Sequence, residues 1–247
     1  MKRIERHKLK ENDFARSVER ARETLAERRS EITMTATLVV IVLVLIGGYA
    51  WWRTARNARA TELLASALAV AEAPVVPPPP PAPGSAPPVQ QPGTFRTERD
   101  RTDAALPKLM DVANKYPSTE AGITARYRAA SSLAEIGRYA DAEQNYQAVI
   151  DKAGRTSIYG RTARLGLGNV LMAEGKNDPA IATLRDLSTD GESQLPLDGV
   201  LMQLGRAYAQ AGKKEDASRA FTRVVDEFPQ SLYVVEAKEQ IATLKKG

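Results

Sequence analysis

Twenty-one consecutive residues without a formal charge, residues 32–52, constrain the structure of this chain more than any other feature. At a rise of about 1.5 Å per residue, a helix of this length covers roughly 30 Å, which is the hydrocarbon thickness of a bilayer. Tyr49, Trp51 and Trp52 fall at one end of the run, where amphipathic rings prefer the headgroup layer. The run predicts one transmembrane helix, and therefore a lipid bilayer as a partner of the chain.

Charge on the two flanks predicts the orientation of this helix. Residues 1–31 carry ten Lys and Arg, whereas residues 53–72 carry three. Because the flank richer in these residues stays in the cytoplasm, we expect a cytoplasmic N-terminus and a C-terminal region on the far side of the membrane. A cleaved signal peptide is the alternative, but its apolar core is typically about 7–15 residues long and closer to the N-terminus. We therefore interpret residues 32–52 as an uncleaved anchor.

Composition argues against several classes of function. The chain has 35 basic and 30 acidic residues, and residues 94–247 hold 22 and 21 of them, so the basic surplus does not lie in the large C-terminal region. Nucleic-acid binding, which needs a basic patch on a folded domain, is not expected. There is no cysteine, and the only histidine, His7, lies near the N-terminus. A histidine-based triad and a Cys/His zinc site are thus excluded from the C-terminal region. We expect no enzyme activity, no metal, no cofactor and no small-molecule substrate.

The C-terminal region contains an internal repeat. Residues 129–142, 167–180 and 204–217 align without gaps, and a half-match precedes them. Each segment has a small residue that permits close helix packing, then a glycine that turns the chain, then a second small residue. The glycines are Gly137, Gly175 and Gly212; the second small residues are Ala105, Ala142, Ala180 and Ala217, at spacings of 37, 38 and 37 residues. This is the tetratricopeptide pattern, with connections slightly longer than usual.

The pattern predicts an all-α fold: one transmembrane helix plus an α-solenoid of tetratricopeptide-like helical hairpins, each of which buries its apolar face by stacking on its neighbours. The second helix of the first repeat is recognisable around Ala105, but Pro92 and Gly93 interrupt the sequence where its first helix should stand. Either residues 57–73 supply that helix, or the stack begins with an unpaired cap. Residues 232–244 are predicted to close the other end as a capping helix.

Changes in composition divide the chain into five segments. In the first, charged residues and apolar residues at helical spacing predict either an amphipathic helix against the inner leaflet or a membrane partner, or a solvated charged helix. Ten of the nineteen residues from Pro74 to Pro92 are proline, a composition that favours the extended polyproline II conformation. This segment is predicted to be a spacer between the bilayer and the domain. The alternative is that it is a ligand for an aromatic groove of another protein. The predicted segments are 1–31 (cytoplasmic), 32–52 (transmembrane helix), 53–73 (post-membrane helix), 74–93 (proline-rich linker) and 94–247 (periplasmic repeat domain).

The first helix of each repeat normally faces the concave side of such a solenoid, which usually binds peptides or proteins. Its predicted surface is polar with soft apolar contacts, for which methionine is suited. A basic clamp for C-terminal carboxylates is not expected, because only Asn169 and Arg206 would contribute to it. The predicted protein-binding residues are Tyr127, Ser131, Glu135, Asn169, Met172, Met202, Arg206 and Gln210.

A charged N-terminal tail, one span that ends in aromatic residues, a post-membrane helix and an external repeat domain together resemble the bacterial YfgM-like family, the ancillary subunits of the SecYEG translocon. The resemblance covers residues 32–73 and 94–247. It implies a non-enzymatic scaffold in the bacterial inner membrane, whose periplasmic domain contacts the translocon and works with a periplasmic chaperone on emerging proteins. The alternative is a tetratricopeptide adaptor for envelope assembly or cell division.

Overall fold

The computed structural model describes residues 29–78, 90–191 and 194–246, and these residues form nine helices and no extended strand. The all-α prediction is confirmed. The amphipathic helix predicted within residues 1–31 lies almost entirely outside the described residues. The helices are α1 (Arg29–Ala71), α2 (Glu98–Lys115), α3 (Glu120–Glu135), α4 (Tyr139–Ala153), α5 (Ile158–Ala173), α6 (Asn177–Ser188), α7 (Leu197–Gln210), α8 (Lys214–Glu227) and α9 (Val234–Lys246).

The chain divides into two compact units, residues 1–55 and residues 56–247. In the first unit, the described residues belong to α1, and their large apolar side chains are exposed throughout the central run. The segment Thr33–Ala71 contains a window with a mean hydropathy of 2.1, none of which is buried. By length and composition this helix could cross a membrane.

The second unit is a stack of antiparallel helical hairpins, α3–α4, α5–α6 and α7–α8, closed by α9. Small residues set the close approach within each hairpin: a Cβ on Gly168 would lie 2.8 Å from the Leu184 side chain, and one on Gly205 would overlap the Phe221 ring. The three turn glycines have φ between 71° and 77°, a conformation that side-chain-bearing residues rarely adopt. The large residues that face these glycines, Leu184 and Phe221, are fully buried.

The first repeat takes its first helix from the C-terminal part of α1. Ala67 is completely buried and packs in one cluster with Leu109 and Val112 of α2. The guanidinium of Arg56 donates a hydrogen bond of 3.2 Å to the carbonyl oxygen of Lys115. Of the two possibilities left open by the sequence, an unpaired cap is therefore excluded, and the stack contains four hairpins rather than three and a half.

The proline-rich segment is an insertion within this first repeat. At its two ends, Val76 N donates to Phe95 O at 2.8 Å and Phe95 N donates to Pro74 O at 2.9 Å, and Val75 and Phe95 form an isolated parallel bridge. Gln90 Nε2 also donates to Val76 O at 3.2 Å. Residues on both sides of the segment, such as Ala67 and Leu109, pack in one cluster of the second unit. The compact unit that contains the repeats begins at Arg56, and the role of the proline-rich segment as a spacer stays a prediction.

Candidate functional site

The first helices of the hairpins form one layer of the stack. Besides their own hairpin partners, α3 contacts α5 and α5 contacts α7 directly, as expected for the inner layer of a curved solenoid. The eight predicted binding residues all lie on these three helices. Glu135, Asn169 and Gln210 are exposed, Tyr127, Ser131 and Arg206 are half-buried, and Met172 and Met202 are buried.

The two methionines are the exceptions within this set. Met202 is completely buried and Met172 is 9% exposed, and both belong to the hydrophobic core of the stack. Since neighbouring first helices touch, an apolar side chain on the flank of one of them is covered by the next. The structure places these two residues as packing contacts, so the candidate surface consists of the six polar and aromatic residues.

At one end of this surface, aromatic rings connect the first and second helices. Tyr127 and Tyr146 form an edge-to-face pair with ring centroids 5.7 Å apart. Burial raises the pKa of Tyr146 to about 12, and a hydrogen bond with Ser131 partly opposes this shift. Burial also raises the pKa of Tyr127. Both phenols therefore remain neutral at physiological pH, and Tyr127 presents an aromatic face with limited conformational freedom.

A polar cavity of about 310 Å³ lies beside Ser131 and Glu135. Arg128 pairs with Glu72 across 3.7 Å, and Arg101 lies 4.0 Å from Glu135. The pair of Arg128 with Glu72 is at the long limit of an ion pair, so Arg128 can exchange its partner for that of a ligand at modest cost, whereas Arg101 also pairs closely with Glu98. The lining residues are Leu68, Ala71, Glu72, Arg101, Arg128, Ser131, Ser132 and Glu135.

Sequence reasoning did not predict this cavity, because it needs α1 as a wall. Leu68, Ala71 and Glu72 precede the proline-rich insertion and are separated from α3 by about fifty residues of chain. The only signal in the sequence was the missing first helix of the first repeat, which left residues 57–73 as one of two candidates for it.

At the other end of the surface, polar side chains link neighbouring first helices. Gln210 Nε2 donates a hydrogen bond of 2.9 Å to the carbonyl oxygen of Met172 and so joins α7 to α5. Arg206 pairs with Glu236 of α9, and both side chains are more than a third exposed. Asn169 is exposed on α5, three residues before Met172. This end can offer amide donors and acceptors and a guanidinium to a peptide.

A second depression of about 510 Å³ lies along α4, one of the second helices, next to the turn before α6. Glu143 and Lys176 pair there at 2.7 Å, and this hydrogen bond lowers the pKa of the Glu143 carboxyl and raises that of the Lys176 amine. The pair joins consecutive hairpins, and Glu174, which lies 3.0 Å from the Lys176 amine, contributes to both shifts. Within the described residues, no group of three or more His, Asp and Glu could hold a metal ion.

Comparisons with known proteins agree with the repeat architecture. The family model described as "Tetratricopeptide repeat-like domain" matches residues 30–242, which include α1 as well as the repeats. No curated protein sequence matches the chain at a significant level. Tetratricopeptide repeats are generally non-catalytic scaffolds that bind proteins or peptides.

Several solved structures share the fold. A crystal structure of MamA is 17% identical with a TM-score of 0.51, over 60% of this chain and 80% of that one. A putative kinesin light chain from Podosopora anserina with nearly identical TPR-like repeats is 14% identical with a TM-score of 0.52, over 60% and 80%. A tetratricopeptide repeat protein from Parabacteroides merdae is 12% identical with a TM-score of 0.50, over 60% and 56%. At these identities the likeness concerns the fold alone.

Proposed function

This chain belongs to the tetratricopeptide repeat-like domain family, and on that premise we propose that it is a membrane-anchored, non-enzymatic scaffold that binds proteins on the inner face of its repeats. The observation that carries the proposal is the layer of first helices, which presents Tyr127, Asn169, Arg206 and Gln210 at or near the surface. Aromatic rings and guanidinium groups are enriched at protein-binding surfaces.

The membrane anchor is the first part of α1. A helix whose large aliphatic side chains are 44–66% exposed from Leu38 to Ile46 would aggregate in water, whereas a bilayer covers the same surface. The excess of Lys and Arg in residues 1–31 supports a cytoplasmic N-terminus and a periplasmic repeat domain at the bacterial inner membrane. A reporter enzyme that works only in the periplasm should therefore be active when it is fused to the C-terminus. The same reporter fused to the N-terminus should be inactive.

Its place of action, in this proposal, is the Sec translocon. This part of the proposal rests on the order of a charged tail, an apolar helix, a post-membrane helix and repeats, which resembles that of the ancillary subunits of SecYEG. A repeat domain held at the exit of the translocon would bind emerging segments and assist their translocation or folding with a periplasmic chaperone.

Adaptor function in envelope assembly or cell division is the second candidate. The observation that favours it is the proline-rich insertion between α1 and α2, which departs from the translocon-associated pattern. Its two ends are joined by the bridge between Val75 and Phe95, and in this proposal its proline-rich sequence offers a partner an additional contact.

In-cell crosslinking of the full-length protein, followed by purification in mild detergent and identification of the bound proteins, tests the proposal. Translocon subunits and periplasmic folding factors are expected. Arg206→Glu should reduce their recovery, whereas Arg219→Glu, on an exposed position of the second helix α8, should not. Recovery of division or outer-membrane assembly proteins without the translocon would favour the second candidate, and equal recovery from both variants would contradict binding on the inner face.

A further inference from the structure

The polar cavity of about 310 Å³ is lined by α1 and the residue that follows it, by α2 and by α3. Leu68 and Ala71 of α1 provide aliphatic surface, and the remaining lining side chains are charged or carry a hydroxyl group. All of these residues belong to the second compact unit. A lining of this composition suits a long side chain that has an aliphatic stem and a polar head.

The two guanidinium groups that line the cavity already have carboxylate partners. Arg101 pairs closely with Glu98, which precedes it by three residues in α2, and the Arg101 side chain is 21% exposed. Arg128 pairs with Glu72 at 3.7 Å, and both of these side chains are more than half exposed. Each guanidinium group is therefore matched by one carboxylate.

Glu135 is the carboxylate that this pairing leaves over. Its ion-pair partner among the described residues is Arg101, at 4.0 Å, and that guanidinium group lies closer to Glu98. The Glu135 side chain is 56% exposed and stands at the end of α3. Three carboxylates thus surround two guanidinium groups at the cavity, which leaves an excess of one negative charge.

This negative charge is not a feature of the repeat pattern. Ala173 and Gln210 stand at the position equivalent to Glu135 in the next two repeats. The proline-rich insertion cannot neutralise the charge, because the sequence from Pro74 to Pro92 contains no charged residue. The cavity is therefore complementary to a cationic group of a bound partner rather than to the insertion.

We propose that this cavity binds a lysine or arginine side chain of a bound protein segment, whose cationic head donates hydrogen bonds to the Glu135 carboxylate. The proposal rests on the protein binding proposed above for the inner face, and it names a side chain that this face recognises. The Ser132 hydroxyl, one turn before Glu135 on α3, accepts a further hydrogen bond. Leu68 and Ala71 cover the aliphatic stem.

An acidic side chain fits the same cavity less well. Arg128 can leave Glu72 at modest cost, but an acidic ligand would bring a fourth carboxylate beside Glu135. A basic ligand neutralises the excess charge and gains charge-assisted hydrogen bonds, which are stronger than those between neutral groups. Replacing the basic residue of a bound peptide with glutamine should therefore lower the affinity about tenfold.

Selection from a phage library of random peptides by the full-length protein in mild detergent tests this proposal. The natural protein is compared with Glu135→Gln, which removes the charge at nearly constant shape, and with Glu135→Lys, which reverses the charge. The matched control is Glu215→Lys, at an exposed position of the second helix α8. Circular dichroism melting curves verify that all four proteins are equally folded, and fluorescence anisotropy measures the affinity of each selected peptide.

The natural protein and the control should enrich peptides that carry a lysine or arginine at a fixed position. Glu135→Gln should abolish this preference, and Glu135→Lys should replace it with a preference for aspartate or glutamate. Changing the basic residue of a selected peptide to glutamine should lower the affinity about tenfold on the natural protein but less than about twofold on Glu135→Gln.

Enriched peptides without a fixed basic residue, or a basic preference that survives Glu135→Gln, would overturn the proposed site. If Arg206→Glu abolished binding of those same peptides, the inner face would still bind proteins and only the site for a basic side chain would fail. Enrichment of an acidic residue by the natural protein would overturn the proposed charge of the ligand. Absence of any enriched peptide would contradict peptide binding by the inner face, and the proposed site with it.

Discussion

At the scale of single residues, close helix packing depends on glycines that leave space for a large partner. Gly205 of α7 lies against the fully buried ring of Phe221 in α8, and a Cβ at this position would overlap the ring. Gly199 of the same helix has more space, since a Cβ there would be 3.7 Å from Tyr233. Both glycines lie in α7, but only Gly205 is required for close packing against a neighbouring side chain.

Gly205→Ala should destabilise the protein by about 1–3 kcal/mol, because the packed core cannot absorb the extra methyl without displacing Phe221. Gly199→Ala, the matched control, should be neutral or stabilise by up to about 1 kcal/mol through its better helix propensity. Chemical denaturation of the detergent-solubilised protein measures both. Equal effects of the two substitutions would contradict the packing described for α7 and α8.

The raised pKa of Tyr146 should make the stability of the protein depend on pH in alkaline solution. Burial raises its pKa from 10.0 to about 12 in the folded protein, so the phenol contributes its full stabilisation below pH 10 and loses it as the pH rises towards 12. The loss is at most about 1.4 kcal/mol per pH unit for this group.

Tyr146→Phe removes this titration, and its free energy of unfolding should fall less steeply between pH 10 and 12 than that of the natural protein. Denaturation midpoints across this interval provide the measurement. Parallel curves for the two proteins would show that Tyr146 is accessible to hydroxide in the folded state.

At the scale of elements, α1 has two parts with different surroundings. Its first part exposes large aliphatic residues, whereas Ala60 and Ala67 of its second part are completely buried. The second part is amphipathic because it serves as the first helix of a hairpin, and the proline-rich insertion stands between the two helices of that hairpin.

Ala67→Glu should destabilise the repeat unit by about 3 kcal/mol or more, since it would bury a charge against α2 without a partner. Ala65→Glu changes an exposed position of the same helix and should alter stability by less than about 0.5 kcal/mol. Thermal unfolding compares the pair. If Ala67→Glu were as harmless as its control, residues 56–71 would not be part of the first repeat.

Replacing residues 79–89 with a four-residue Gly-Ser linker should leave the fold intact. The ends of the insertion are held together by the bridge between Val75 and Phe95, and shortening a closed loop changes the free energy of unfolding by less than about 1 kcal/mol. Circular dichroism and denaturation report the outcome. A large loss of stability would instead mean that the insertion packs against the repeats.

At the scale of the whole molecule, the parts of the fold that repeat along the sequence were predictable, and the parts that do not repeat were not. Small residues and turn glycines recur at nearly constant spacing, so three hairpins and the capping helix were predictable. The first helix of the first hairpin could not be assigned from the sequence, because the insertion separates the two helices of this hairpin and no repeat spacing connects Ala67 with Leu109. The buried Met202 was predicted on the surface, because position within a repeat does not report how closely the next first helix approaches.

The account rests centrally on the inner face as the surface that binds proteins, and site-specific photo-crosslinking in cells tests this claim most directly. A photoreactive residue is placed at Asn169 or Gln210 on the first helices and, as the control, at Gln144 or Thr222 on the second helices; all four positions are exposed. We predict adducts with partner proteins from positions 169 and 210 and none from 144 and 222. Adducts from the second helices alone, or equally from both layers, would contradict the account.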